Sequence, residues 1–557
     1  MNADPGCRAV RWALALLDGL LAGGVRLLAL SPGARSTPVV LAAQRRPALE
    51  LVPILDERDA AFFALGAARA CQRPVAVLAT SGSAPTHWYP AVVEAAAAGV
   101  PLVFLSADRP PRLRGWGANQ TIDQTRLFGP FARAFFDPGP PDDRPAALKA
   151  QHALGWRAAC LSQAPRPGPV HLNLPFDEPL VPTGDCPEPP TWPRAPLATV
   201  GATVVAGTLP PWPAGRGIIV CGPGVPAPGE QEALWRCAAR WAVPVLTDPL
   251  SGLRFGTDEG GAPPAARIFS YDTFLRQPQV AAALRPDWVL RWGRAPVSKV
   301  LGTWLNGIPA ILLGADDTWS DPSHDGAQRW QGDAHALWSA LAVGPPPDTA
   351  WLARWQAVEQ ATAARIAAYL AEAPWCEGHL IRRLLATIPP GEALLCANSL
   401  PIRQLDIWSP ARAALAVFGN RGVSGIDGQL ATLAGANVML PTWGLLGDLS
   451  FCHNLGGLLL GAYWRRPVIV INNGGGRIFD YLPQRELPDC ARLWRLPVTP
   501  DLAAVAHSFG IEHIAVESDA ELARALAEPP RGRLIEARID AERSRATHLE
   551  FWRQMAL

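Results

Sequence analysis

The sequence has no excess of charge of either sign: 50 Lys+Arg stand against 49 Asp+Glu, a net charge of +1 over 557 residues. Nucleic acid and anionic membrane surfaces call for a basic excess, so neither is expected as a partner. Any anionic ligand must then be met by locally placed arginines. No two of the ten cysteines sit at C-x-x-C spacing, and no Cys/His cluster has the spacing of a zinc site. That leaves scattered reduced thiols, the usage of a cytoplasmic protein, in place of a disulfide framework. No apolar run approaches the ~20 residues needed to cross a bilayer. The stretch from Trp12 to Leu21 is interrupted by Asp18 and followed by no small-residue cleavage pattern. It reads as an amphipathic first helix, not a signal peptide. Short-period repeats and coiled-coil heptads are also missing.

What is present is apolar material: 49% hydrophobic against 18% charged residues, enough for several large cores and too much for a disordered chain. The length predicts about three domains. Over the first ~185 residues, short apolar runs at Arg26–Leu30, Leu51–Leu55, Val75–Ala79 and Leu102–Leu105 alternate with helical stretches such as Ala60–Ala70 and Tyr89–Ala98. Each run ends in a polar or glycine-bearing turn: Ser31-Pro32-Gly33, Asp56-Glu57-Arg58, Thr80-Ser81-Gly82 and Ser106-Ala107-Asp108. This pattern predicts an α/β fold with parallel sheets, whose ligands bind beyond the carboxyl ends of the strands. A proline-rich segment from Pro182 to Pro213 reads as a linker, and Pro345-Pro346-Pro347 marks a second boundary. The expected division is 1–185, a linker at 186–213, a central α/β unit at 214–345 and a last unit at 346–557, with strands at Ala393–Cys396, Val468–Ile471 and Leu534–Ala537. The 22 Trp and 58 Pro are dispersed and suggest no function by themselves.

In the last unit, Leu445-Leu446-Gly447-Asp448-Leu449-Ser450 should place Asp448 at a strand end. Val468–Ile471 runs into Asn472-Asn473-Gly474-Gly475-Gly476, and the 25 residues from Asp448 to Asn473 suffice for a helix and the next strand. Neighbouring strand ends would present a carboxylate, a side-chain amide and backbone carbonyls, hard oxygen ligands suited to Mg²⁺. The glycines would admit a diphosphate close to the backbone. By spacing alone, a βαβ unit with a capped helix is the preferred explanation of the same residues. In the first unit, Glu57 and Asp59 open a helix, where the dipole favours carboxylates whatever their function.

The Asp448…Asn473 pair is similar to the Gly-Asp-Gly…Asn motif of the thiamine-diphosphate (ThDP) enzyme superfamily, with Leu449 where most members have Gly. Gly-Asp-Leu-Ser is the form of the SEPHCHC synthases of menaquinone and phylloquinone biosynthesis. The chain resembles that family in further motifs: Ser31–Pro38 (with Ala34 where Ser is usual), Thr80–Ala84, Ser106–Pro110 with Gly117–Gln120, Gly168–Pro175, Asn398–Arg403, Asn420–Gly428, and Ile478-Phe479 with Leu482. The central unit is the poorest in motifs, with Ser298-Lys299 its best match.

The resemblance implies three doubly wound parallel-sheet domains: an aminopyrimidine-binding domain, a central domain and a diphosphate-binding domain. It implies ThDP with Mg²⁺ or Mn²⁺, decarboxylation of 2-oxoglutarate, and 1,4-addition of the resulting succinic semialdehyde carbanion to isochorismate. Glu57 would bind N1′ of the aminopyrimidine and activate it, a carboxylate tuned by apolar surroundings. Asp448, Asn473 and the Gly475 carbonyl would hold the metal. Ser424, Ile426, Leu449, Ser450 and Ile478 would complete the cofactor site, Ile426 as the apolar support beneath it. Gln120, Ser399 and Arg403 would act at the reacting centre. Both substrates are dicarboxylates, for which Arg is the natural partner. Arg403 and Ser399 would take the 2-oxoglutarate part. Arg35, Arg109, Asn119 and Lys299 would serve isochorismate, with Arg421 near the adduct and Phe479 and Leu482 also binding substrate. A homodimer or homotetramer is expected, without nucleic acid or membrane. Each Arg has a plain alternative in structural salt-bridging, strongest for Arg109 beside Asp108. Asn119 and Gln120 would serve equally as turn formers. His87, His171 and His453 read as structural.

Three other functions compete. An acetohydroxyacid-synthase-like ThDP enzyme would share Glu57, Asp448 and Asn473 but not the Asn119-Gln120, Ser399…Arg403 and Asn420-Arg421 motifs. A nucleotide-binding dehydrogenase would use Gly222-Pro223-Gly224, yet Ala227 breaks the G-x-G-x-x-G pattern. A non-catalytic scaffold would have no need of both Glu57 and Asp448.

Overall fold

A computed structural model describes residues 4–195, 213–227, 229–256, 264–314, 318–333, 336–338, 341, 347–412 and 414–555. Much of the proline-rich linker and most of the Pro345–Pro347 boundary lie outside these residues. The chain forms three six-stranded parallel sheets flanked by helices, the α/β class expected from alternating apolar runs and helical stretches.

The first sheet contains β1 (Leu27–Leu30), β2 (Glu50–Pro53), β3 (Val75–Ala79), β4 (Leu102–Asp108), β5 (Ala134–Phe136) and β6 (Pro169–Pro175), in the order β2-β1-β3-β4-β6-β5. The second contains β7 (Gly217–Cys221), β8 (Val245–Thr247), β9 (Arg267–Ile268), β10 (Trp288–Trp292), β11 (Ala310–Gly314) and β12 (Gly326–Gln331), ordered β12-β11-β10-β7-β8-β9. The third contains β13 (Ala393–Cys396), β14 (Ala416–Phe418), β15 (Thr442–Gly447), β16 (Val468–Asn472), β17 (His513–Val516) and β18 (Leu534–Arg538), ordered β14-β13-β15-β16-β18-β17. The first and third sheets thus share one strand order. In each sheet the chain crosses back over its first strand, β1, β7 or β13, and such a switch point opens a crevice at the carboxyl edge.

The central strands are buried on both faces, which is why they read as unbroken apolar runs. In β7, Ile219 and Cys221 enter one core while Ile218 and Val220 enter another, the two-residue period of a strand covered on both sides. Seven tryptophans, Trp88, Trp241, Trp288, Trp338, Trp355, Trp408 and Trp443, are among the largest fully buried side chains, so much of the Trp content fills cores.

Two expectations need correction. Ser106-Ala107-Asp108 is not a turn: β4 continues through Asp108, because all seven residues pair with β6. The buried polar groups are satisfied there, with Ser106 bonded to His171 and Asn173, and Asp108 to Asn173. The second strand ends at Pro53, short of Leu55, which is 75% exposed.

The chain divides into two compact units. One holds the first sheet with residues 420–442 and 450–465; the other holds the second and third sheets. In the first unit, the Glu57–Cys71 helix packs on the Gln429–Met439 helix. A Cβ at Gly66 would lie 1.9 Å from the Thr432 carbonyl oxygen, and one at Gly435 1.8 Å from that of Phe63. Glycine at both positions is therefore the condition of this backbone-to-backbone approach.

Candidate active site

Asp448 opens a helix directly after β15, and Asn473 follows β16, its parallel neighbour. The Asp448 carboxylate is 2% exposed. It accepts from the backbone N–H of Leu449 (2.7 Å), Gly475 (2.8 Å) and Asn473 (3.2 Å). Burial raises its pKa, and these amides oppose the rise. No Arg or Lys side chain pairs with it among the described residues. A buried carboxylate without a counter-ion, beside a side-chain amide and a turn with positive φ at Gly474 (80°) and Gly475 (120°), fits a divalent cation better than a capped helix alone. A Cβ at Gly475 would meet the Arg495 carbonyl oxygen at 2.4 Å, so only glycine fits there. The Gly475 carbonyl accepts from Arg477 N at 2.8 Å, which occupies one of its two lone pairs. The neighbouring Asn472 is committed elsewhere, donating to Glu536 at 2.6 Å. Leu449 packs at the Gly476 turn, Ser450 is buried in the same helix as Asp448, and Ile478, Phe479 and Leu482 are half-buried just beyond.

Ser399 and Arg403 follow β13, on the other side of the third sheet's switch point. Ser399 N-caps the Leu400–Trp408 helix with φ 71° and ψ −127°, and the Arg403 guanidinium folds back onto its carbonyl at 2.5 Å. Lys299 begins the Lys299–Leu305 helix. It is exposed and lines a cavity of about 520 Å³ with Arg291, Arg294, Thr303 and Asn306.

In the first unit, Glu57 is the first residue of its helix, capped by Asp56, whose carboxylate accepts from Arg58 N at 2.8 Å. Glu57 is half-buried, and its own carboxylate has no partner among the described residues. The turns after β1, β3 and β4 bring Arg35, Ser81, Arg109 and Gln120 together. Arg35 donates to the Phe176 carbonyl and to Glu178, each at 3.1 Å. Arg109 donates to the Ser81 hydroxyl, and Gln120 donates to the Ser81 carbonyl at 3.1 Å. Asp108 does not take the Arg109 side chain: its ion pair is with Arg114, at 2.9 Å. Burial, then the nearby Arg35 charge, lowers the Arg109 pKa, the signature of two guanidiniums sharing one region. Asn119 and Gln120 are exposed, and nothing described engages the Asn119 side chain.

Arg421, Ser424 and Ile426 lie on a loop of the same unit, half-buried or exposed. What holds this loop is not visible in its own residues. Glu94, 2% exposed, accepts from Gly422 N (2.9 Å), Val423 N (2.8 Å) and Arg69 (2.5 Å). Asp59 was visible only as a helix-start charge. It is buried, pushed up to about 6 by burial, and bonded by Asn454 at 2.7 Å. Both carboxylates sit on strongly helical stretches with no local signal, and only the partners mark them. His171 is buried as expected and bonds Ser106, within 2.7 Å.

Fold and site together define an α/β enzyme of the thiamine-diphosphate type. Residues 11–127 match the thiamine pyrophosphate enzyme family's N-terminal TPP binding domain. Over 98% of this chain and 97% of the relative, the sequence is 38% identical to the 2-succinyl-5-enolpyruvyl-6-hydroxy-3-cyclohexene-1-carboxylate synthase of Geobacillus kaustophilus (strain HTA426). It is 38% identical to the enzyme of that name from Dechloromonas aromatica (strain RCB), over 94% and 96% of the two chains. With the one from Myxococcus xanthus (strain DK1622) it shares 37%, over 100% and 98%. The chain belongs to this synthase (SEPHCHC synthase) family, a family of ThDP-dependent transferases. The acetohydroxyacid-synthase, dehydrogenase and scaffold alternatives are not favoured. No helix among the described residues is long and apolar enough to cross a membrane.

Proposed function

We propose that this chain decarboxylates 2-oxoglutarate and adds the resulting four-carbon unit to isochorismate, releasing CO₂ and forming SEPHCHC on the route to menaquinone or phylloquinone. The observation that carries the reading is Asp448: a buried carboxylate held, among the described residues, by backbone amides alone, beside Asn473 and two positive-φ glycines. Mg²⁺ (or Mn²⁺) held by Asp448, Asn473 and the Gly475 carbonyl would supply the missing positive charge. When bound, thiamine diphosphate supplies the nucleophilic carbon and the electron sink for decarboxylation. Glu57, whose carboxylate has no partner among the described residues, would hold a proton at the aminopyrimidine nitrogen. Ser424, Ile426, Leu449, Ser450 and Ile478 would position the cofactor.

The substrates' carboxylates divide among the cations. Arg403 and Ser399, already in contact, would grip the 2-oxoglutarate part. Arg35, Arg109, Asn119 and Lys299 would orient isochorismate, with Gln120 and Arg421 near the reacting centre and Phe479 and Leu482 excluding water. Supporting Lys299 is the composition: Lys149 and Lys299 are the only lysines in a chain with 50 Lys+Arg. A compact ammonium here is thus set apart from the guanidiniums used nearly everywhere else. The active protein would be a homodimer or homotetramer in the cytoplasm.

The test supplies isochorismate and 2-oxoglutarate together and identifies the product by mass, with and without ThDP and Mg²⁺. SEPHCHC formed only with both is the expected result. Pyruvate serving as donor, or no dependence on Mg²⁺, overturns the reading. Arg403→Ala should raise the 2-oxoglutarate requirement at least ~100-fold while sparing ThDP affinity, since it removes one cation of an ion pair. Lys299→Ala should impair isochorismate use and leave single-turnover CO₂ release intact. Loss of that first step would refute the division.

A further inference from the structure

Lys299 and the Ser399–Arg403 pair lie on different sheets, more than 90 residues apart in sequence. Nothing in either motif explains how two grips on two substrates keep a fixed relation. A buried polar hub within the second compact unit connects them.

The hub starts at the carboxyl end of β8. Asp248, 1% exposed, accepts from Leu250 N at 2.8 Å and from Val297 N at 2.7 Å. Asp272, 5% exposed, accepts from the Ser298 hydroxyl at 2.6 Å, and that hydroxyl in turn caps the Lys299–Leu305 helix through Leu301 N at 3.1 Å. Two buried carboxylates therefore pin the two residues immediately before Lys299. On the other side stands Arg254, 2% exposed. Its guanidinium donates to the Thr247 carbonyl (2.9 Å), the Asp406 carboxylate (2.9 Å), the Asp406 carbonyl (2.5 Å) and the Ser409 hydroxyl (3.0 Å). The Tyr271 hydroxyl lies 3.2 Å from both the Thr247 carbonyl and Asp406. Asp406 and Ser409 end the helix that Ser399 and Arg403 begin.

This is an expensive arrangement. The buried Arg254 guanidinium pairs with the buried Asp406 carboxyl, while Asp272 has a second cation in Arg276 at 2.8 Å; burial pushes Asp406 up to about 8, with Arg254 opposing the rise and Asp248 and Asp272 adding to it. An apolar cluster would stabilise the same contact at lower cost. What the charged version adds is directionality, because each bond fixes an orientation as well as a distance. Among the described residues, Arg254 bonds Thr247, Asp406 and Ser409 and none of those assigned to substrate, so its effect must pass through the elements it holds.

We propose that Arg254 is a positioning residue for both substrates. Its bonds to Asp406 and to the Thr247 carbonyl, next to Asp248, together with Tyr271, next to Asp272, hold the Lys299 turn in register with the Ser399–Arg403 helix. The proposal rests on the reading above that Lys299 and Arg403 grip isochorismate and 2-oxoglutarate.

The test uses ThDP- and Mg²⁺-loaded enzyme. Arg254→Lys should raise the KM for both substrates about tenfold, because an ammonium cannot reproduce the fork of bonds to Thr247, Asp406 and Ser409. Arg254→Gln should raise it further, and Tyr271→Phe, which removes one hydroxyl, about fivefold. ThDP affinity should stay within about twofold of wild type in all three, since Arg254 and Tyr271 touch none of the residues assigned to the cofactor. A role confined to stability would lower the melting temperature and leave both KM values unchanged in the folded holoenzyme, and that result overturns the proposal. A rise for one substrate only overturns it too. Tyr271→Phe keeps the question answerable if the arginine variants do not fold. If Arg403→Ala and Lys299→Ala themselves leave both KM values unmoved, it is the underlying assignment of substrate grips that fails.

Discussion

Three of the candidate residues carry a backbone conformation that costs energy. Gln120 (φ 53°), Ser399 (φ 71°) and Ser424 (φ 63°) are among the few non-glycine residues with positive φ. Such strain is retained where the surroundings over-determine it, and here it falls on residues singled out by their motifs. Ser399 is the sharpest case, since its ψ of −127° with positive φ is glycine territory. Ser399→Gly should raise stability by about 1 kcal/mol through relief of this strain. Product formation should fall at the same time, since the hydroxyl is lost. Thermal melts and single-turnover rates on one preparation would show both; a variant that is stabilised and fully active would remove Ser399 from the site. His171 gives a second residue-level expectation. Burial pushes its imidazole down to about 3. Between pH 6.5 and 3 the unfolded chain binds a proton that the native state refuses, so stability is present above pH 6.5 and drains away as pH falls. The loss should approach ~1.4 kcal/mol per pH unit. His171→Gln should flatten the pH slope of the denaturation midpoint by that amount; an unchanged slope would count against a buried neutral His171.

At the level of elements, the readable part of the sequence was the turn after each strand. Apolar runs of four to five residues such as Val75–Ala79, Ala393–Cys396 and Val468–Asn472 mark strands, and parallel sheets put their chemistry just beyond them. The positions of Arg35, Ser81, Asp448 and Asn473 in turns beyond strand ends were legible for that reason. The turn wrongly placed at Ser106–Asp108 shows the limit, because polar residues look like a turn until a distant strand supplies Asn173 and His171 as partners. Glu94 was illegible for the same reason. Its partners Gly422 and Val423 are 328 and 329 residues away, and its own helix is otherwise alanine-rich. Glu94→Gln offers those two amides a single oxygen and an unwanted N–H₂ group. It should weaken ThDP binding about tenfold and cost roughly 3 kcal/mol of stability, since Arg69 loses its carboxylate. Titration of the apoenzyme with ThDP would check the first, and a loop that binds cofactor normally would show that Glu94 serves only the fold.

For the whole molecule, the two compact units differ in how the chain builds them. The unit around the first sheet borrows residues 420–442 and 450–465 from far downstream, and its Glu57–Cys71 helix has its glycine-mediated partner only there. A chain ending at residue 199 should therefore show an open apolar helix face and fail to give a cooperative melt, and adding residues 420–465 as a separate peptide should restore one. A sharp melt from the first 199 residues alone would refute this. During synthesis, the ribosome must deliver about 465 residues before the unit around the N-terminal sheet is complete. For most of its translation this nascent chain holds an unfinished surface, so its yield in the cell should respond to chaperone supply and elongation speed more strongly than the stability of the finished enzyme would suggest.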